Sequence, residues 1–135
     1  MPIRPRLALG APSLDDFADI AREAADAIPA PFARHLQNVV ITVQDLCDDD
    51  TQHELGLLNP FDLLGLYRGV PLSKKSVLDP VEEVDVIYLY RRPILKYWRQ
   101  TDEDLRRIIS HVLIHEAGHH FGFSDDEMTR IEREV

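Results

Sequence analysis

Apolar residues near the start of the chain recur at helical spacing, and the pattern then switches to short β-branched runs. In "SLDDFADIAREAADAI", Leu14, Phe17, Ile20 or Ala21, Ala24 and Ile28 mark one helix face. Ser13 is placed to cap it, with Asp15 and Asp16 where the helix dipole favours negative charge. Pro29 and Pro31 stop the pattern. "NVVITVQDL" predicts a strand, and "CDDDTQHELGLLNPFD" a polar, acidic connection. "LLGLYRGVPL" predicts a short strand running into a turn at Gly69 and Pro71. "VDVIYLYRR", from about Val84 to Arg91, is the clearest strand and is expected at a sheet edge. "PILKYWRQ" predicts a short helix with Pro93 at its first position. Thr101 then caps a long helix that carries Asp102, Glu103 and Asp104 in its first turn and runs to about His120. The order helix, strand, strand, strand, helix, helix predicts an α+β domain with a small sheet. One domain over residues 1–135 is expected, with 1–12 a flexible N-terminal segment.

The long helix changes character along its length. Leu105, Ile108, Ile109 and Val112 form an apolar stripe, and helical steps carry that stripe to His115, Glu116 and His119. Two imidazoles and a carboxylate on a core-facing side are costly to desolvate without partners, and a metal ion supplies one. His115 and His119 lie one turn apart on one face, so their ring nitrogens can converge on a single ion. Glu116 is displaced by about 100° from His115, beside that ion, where it can take a proton from water. This is the H-E-x-x-H arrangement, which pairs two zinc ligands with a general base. It continues as His115-Glu116-x-x-His119-x-x-Gly122-x-x-Asp125. Gly122 permits a sharp turn out of the helix, after which Asp125 can swing back as third ligand. A fourth position then stays open for water. Asp126 is the neighbouring alternative. Ser124 to Glu127 also spells a capping box that opens a last short helix, and a cap and a ligand can share one turn.

The remaining candidates carry weaker signals. His111 cannot join His115 and His119 on one ion, because eight residues of straight helix climb about 12 Å. It is expected to support a ligand or to be solvated. His120 is expected to make a structural hydrogen bond. Gly118 costs about 1 kcal/mol relative to alanine inside a helix, which implies close approach of another backbone, such as the sheet. Phe121 and Phe123 read as core. Asp48, Asp49 and Asp50 with His53 read as a solvated loop. Tyr67, Tyr88 and Tyr90 could donate to an oxyanion, but strand aromatics more simply pack on a face.

Charge narrows the partners. The net charge is −9 and the basic residues form no stripe, which argues against a phosphate-backbone ligand and so against an RNA-directed hydrolase. Apolar residues make up 44% of the chain, enough to build a core without disulfides. Cys47 is the only cysteine and suits a reducing compartment. The apolar run in "MPIRPRLALGAPSL" is too short for a signal peptide or a membrane span. A cytoplasmic protein without nucleic-acid or membrane partners is expected, with a monomer the simplest state.

"HEAGHHFGFSDDE", with "LLGLYRGVPL" and "DVIYLYRRPIL" upstream, resembles the small bacterial zincin-like metallopeptidases over roughly the last three-quarters of the chain. Aspartate in the third place resembles the snapalysin-type variant. The resemblance implies a minimal zincin domain: a small mixed sheet, a backing helix and an active-site helix. It implies Zn2+ held by His115, His119 and Asp125, Glu116 as general base, and a peptide or protein substrate. Only ten residues follow Asp125, which leaves no room for a C-terminal subdomain, a Met-turn or a distant glutamate ligand. The alternatives are a zinc-stabilised binding or structural module without turnover, and a metal-dependent hydrolase acting on a non-peptide substrate.

Overall fold

The computed structural model describes residues 10–30, 32–71 and 83–135. Residues 1–9 of the expected flexible segment lie outside these, as does Pro31. From Gly10 onward the chain is described, and Pro12 is buried, its carbonyl accepting from Arg91 Nε at 2.6 Å.

The first helix, α1 (Leu14–Ala27), opens on a reciprocal cap. Ser13 Oγ accepts from the Asp16 amide at 3.1 Å, and the Asp16 carboxylate accepts from the Ser13 amide at 2.9 Å. Phe17, Ile20, Ala21, Ala24 and Ile28 are buried as the periodicity predicts, while Leu14 stays 41% exposed because the face has not yet turned inward. Then come α2 (Phe32–Leu36), β1 (Val39–Gln44) and α3 (Asp49–Glu54), followed by a single 3₁₀ turn at Pro60–Asp62. After these follow β2 (Gly65–Pro71), β3 (Glu83–Tyr90), α4 (Arg91–Gln100), α5 (Leu105–His120) and α6 (Asp125–Arg133).

Several boundaries differ from the sequence expectation, each for a local reason. The acidic connection is partly helical. Asp48 caps α3 through the Thr51 amide at 2.7 Å, and Asn59 caps the 3₁₀ turn that Pro60 opens. The strand β2 continues through Gly69 to Pro71, paired with β3 along its length. An edge strand tolerates proline because only one side of its backbone must donate. Helix α4 starts at Arg91, ahead of Pro93. Thr101 closes α4, its amide donating to the Trp98 carbonyl at 3.3 Å, and does not cap α5. Asp104 holds the position before α5, so the three acids precede that helix.

The sheet has the order β1-β3-β2. Strand β3 pairs parallel with β1, with Ile41 beside Ile87, and antiparallel with β2, with Tyr67 beside Ile87. The sheet is therefore mixed, and β3 is its centre, which overturns the edge assignment for Val84 to Arg91. Val86, Ile87, Leu89 and Tyr90 are buried. So apolar a strand gains most where it is paired on both sides.

Helices α1 and α5 pack together and on the sheet, forming one core with Phe17, Ile87, Leu105 and Leu113 at its centre. Burying each such side chain contributes about 1.5–3 kcal/mol. Helix α5 is buried beyond the predicted stripe, since Ser110, Leu113 and Ile114 are also covered. Its polar end is what reaches the surface. Among the described residues no helix is long and apolar enough to cross a membrane.

Candidate metal centre

The last two turns of α5 carry the H-E-x-x-H residues out of the core. His115 and Glu116 are half-buried and His119 is exposed. The rings of His115 and His119 are 4.5 Å apart between centroids, at 85° to one another. One helical turn thus puts two imidazoles at the same spot on the surface, as their spacing predicts. Burial lowers the pKa of His115, assisted by the neighbouring His119 and His111, against the Glu132 and Asp125 carboxylates. A lowered pKa keeps the ring neutral, the form that binds a metal. Burial raises the pKa of Glu116, with the Tyr67 amide and His119 opposing. A carboxyl that is easier to protonate suits a group that must both accept and release a proton.

Strand β2 lies across this end of α5. Gly65 faces Val112 and Glu116: a Cβ added there would press on the Val112 side chain and the Tyr88 carbonyl and sit 3.6 Å from Glu116 Cγ. Two residues on, and so on the same face of the strand, the Tyr67 ring stacks on His120 at 3.8 Å between centroids. Tyr67 is thus a packing aromatic, and His120 makes a ring stack, with no side-chain hydrogen bond among the described residues. Among the described residues the buried Tyr67 hydroxyl has no partner in hydrogen-bonding geometry. Burial and the nearby Asp85 carboxylate push its pKa up. Gly65 was not among the candidate residues. A lone glycine inside an apolar strand is the signal that points to it.

A cleft of ≈ 230 Å³ runs between residues 62–65 and the α5 face from His111 to Glu116. Larger hollows of ≈ 370 and ≈ 400 Å³ lie beside Leu95 and Trp98 and beside Phe32 and Phe123, but no histidine lines either. The 230 Å³ cleft is the one that chemistry marks.

The turn after α5 follows the expected course. Gly122 has φ +80°, its amide donates to the His119 carbonyl at 3.2 Å, and the Phe123 amide donates to Gly118 at 2.9 Å. These paired bonds end the helix around a left-handed residue, where a Cβ is unfavourable. Ser124 then caps α6: its Oγ accepts from Glu127 at 3.2 Å, and Glu127 accepts from the Ser124 amide at 3.0 Å. Asp125 is the first residue of α6, and its carboxylate takes no part in that cap. It acts on His115 through its charge. Among the described residues no three His, Cys, Asp or Glu side chains are gathered closely enough to hold a metal ion.

Helix α6 packs back on α5. A Cβ at Gly118 would collide with the Met128 side chain, so the close neighbour is a side chain of α6 and not the sheet backbone that was expected. Phe121 and Phe123 pack against the core as anticipated. His111 Nδ1 contacts the Glu132 carboxylate of α6, and its ring lies parallel to that of His115 at 5.9 Å.

A comparison with curated proteins gives no match. The profile of the zincin-like metallopeptidases matches residues 36–135, a span that holds the whole sheet, α5 with its H-E-x-x-H turns, and α6. The chain belongs to the zincin-like metallopeptidase family.

Proposed function

We propose that this protein is a zinc-dependent peptidase that acts by general-base hydrolysis. The observation that carries this reading is the pair of imidazoles, 4.5 Å apart at the surface end of a buried helix, with Glu116 beside them on a cleft under β2. The donor chemistry fits zinc: two imidazoles, one held neutral by burial, with the Asp125 carboxylate acting on the same site. His115 and His119 would hold the ion, with Asp125 as third ligand. When bound, zinc acidifies water and polarises a carbonyl.

Glu116 takes the proton of the attacking water and passes it to the leaving amine nitrogen. Its burial raises its affinity for that proton, which favours the transfer. The substrate backbone lies along the outer edge of β2, the strand nearest Glu116, and adds to the sheet by main-chain hydrogen bonds. The buried lone thiol of Cys47 supports a reducing compartment.

Among the described residues no third ligand is gathered with the two histidines, which favours a second reading, a zinc-stabilised module without turnover. Zinc-loaded protein incubated with quenched peptides or casein separates the two. Turnover by the parent, lost in Glu116→Gln with zinc retained, is the expected result. A Glu116→Gln variant as active as the parent refutes the mechanism. Zinc binding without turnover of any substrate by the parent leaves the module.

A further inference from the structure

The cleft has a direction. Gly65 faces Val112 and Glu116, and Tyr67 stacks on His120, so β2 runs the same way as α5. Residues 62–64 therefore lie back along α5, toward its His111 turn. Asp62 stands about three residues of extended chain, or roughly 10 Å, from Gly65. Between them Leu63 and Leu64 on one side and Val112 on the other give apolar surface, with His111 and His115 flanking Val112. At the far end Asp62 is exposed, and among the described residues its carboxylate has no hydrogen bond or ion pair. Arg92 and Lys96 on the next helix lie over the Phe61 ring, 5.4 and 5.7 Å from its centroid, and neither is ion-paired with Asp62 among the described residues. His111, across the cleft, is engaged by Glu132.

We propose that this cleft is a specificity subsite for a basic substrate side chain, lysine or arginine, next to the cleaved bond. The proposal rests on the peptidase reading of the same site. Such a side chain has an apolar stem and a charged tip, and it can cover apolar walls while its cation stays near water. The stem lies on Leu63, Leu64 and Val112, and the cation meets Asp62. A neutral side chain of equal length covers the walls but leaves Asp62 without a counter-charge. An acidic one is repelled by it.

The test uses zinc-loaded protein and quenched peptides that differ only by lysine, norleucine or glutamate, with the varied residue moved across the positions flanking the cleavage site. At one position lysine is preferred to norleucine by about two- to fivefold in kcat/KM, the size of an exposed charge pair. The preference resides in KM, Asp62→Asn removes it, and Asp62→Lys turns it toward glutamate. Absence of a lysine preference at every position, or its survival in Asp62→Lys, overturns the subsite. Anisotropy of the same peptides on zinc-loaded Glu116→Gln gives a readout independent of turnover. If the parent cleaves nothing while lysine peptides bind and lose that binding in Asp62→Lys, the peptidase reading falls and the subsite stands. Equal binding of all three peptides overturns the subsite whether or not the protein turns over.

Discussion

Asp125 and Asp126 are adjacent carboxylates at the start of one helix, yet only Asp125 is among the charges that act on His115. The capping role that competed for this turn is filled by Ser124 and Glu127, which frees Asp125 for another use. Asp125→Ala should weaken zinc binding by at least tenfold, since even residues that only orient a ligand cost about 10–100-fold when lost. Asp126→Ala should leave affinity near that of the parent. Competition titration of both variants against a zinc chelator checks this, and a reversed order would reassign the third ligand. Residue spacing made His115, Glu116 and His119 legible in the sequence, because neighbours one turn apart share a helix face whatever surrounds them. Asp125 was legible only as a candidate, because a turn does not fix where its side chain points.

Elements were legible where periodicity ran uninterrupted and less so where caps decide. Helix α1 matched its pattern and its cap, and β1 and β3 matched theirs. The start of α5 was misplaced because Thr101 serves as well at the end of one helix as at the start of the next. Strand β2 was expected to turn at Gly69 because glycine and proline break isolated strands, but pairing with β3 carries it through. Docking of α6 on α5 depends on Gly118, whose missing side chain makes room for Met128. Gly118→Ala should therefore destabilise the protein. Overpacking a core costs about 1–3 kcal/mol, more than the ~1 kcal/mol gained in helix propensity. Met128 is only 2% exposed and has little room to retreat. Urea denaturation measures the difference, and an alanine variant more stable than the parent would contradict the close packing.

For the whole molecule, half-burial of the site contributes to the pH dependence of folding. The folded pKa of His115 lies below its unfolded value of about 6.5. Below that pH the unfolded chain gains a proton that the folded one refuses, so stability falls as pH drops through 6.5 toward the lowered folded value. Glu116 has the opposite sign: its folded pKa is raised, so acidification through that value relieves a buried charge and adds stability. Metal-free protein should lose His115's contribution to stability as pH falls from 7.5 to 6, and His115→Gln should lose less. Denaturation midpoints at the two pH values test this. An equal loss in parent and variant would show that His115 is not the group responsible.

The sequence by itself determined the convergence of His115 and His119 on one face of α5, the family to which the chain belongs, and the α+β class. Each rests on short-range spacing, which a helix or strand converts directly into a shared face. The order β1-β3-β2, the passage of β2 over Glu116 and the seating of Met128 against Gly118 were decided only in the tertiary structure. They bring together residues dozens of positions apart, or set one helix against another. Periodicity says which face of an element is apolar but not which partner covers it. The same holds for Asp62. In the chain it is one acid among 24 aspartates and glutamates. Its place at the end of the cleft depends on β2 lying along α5.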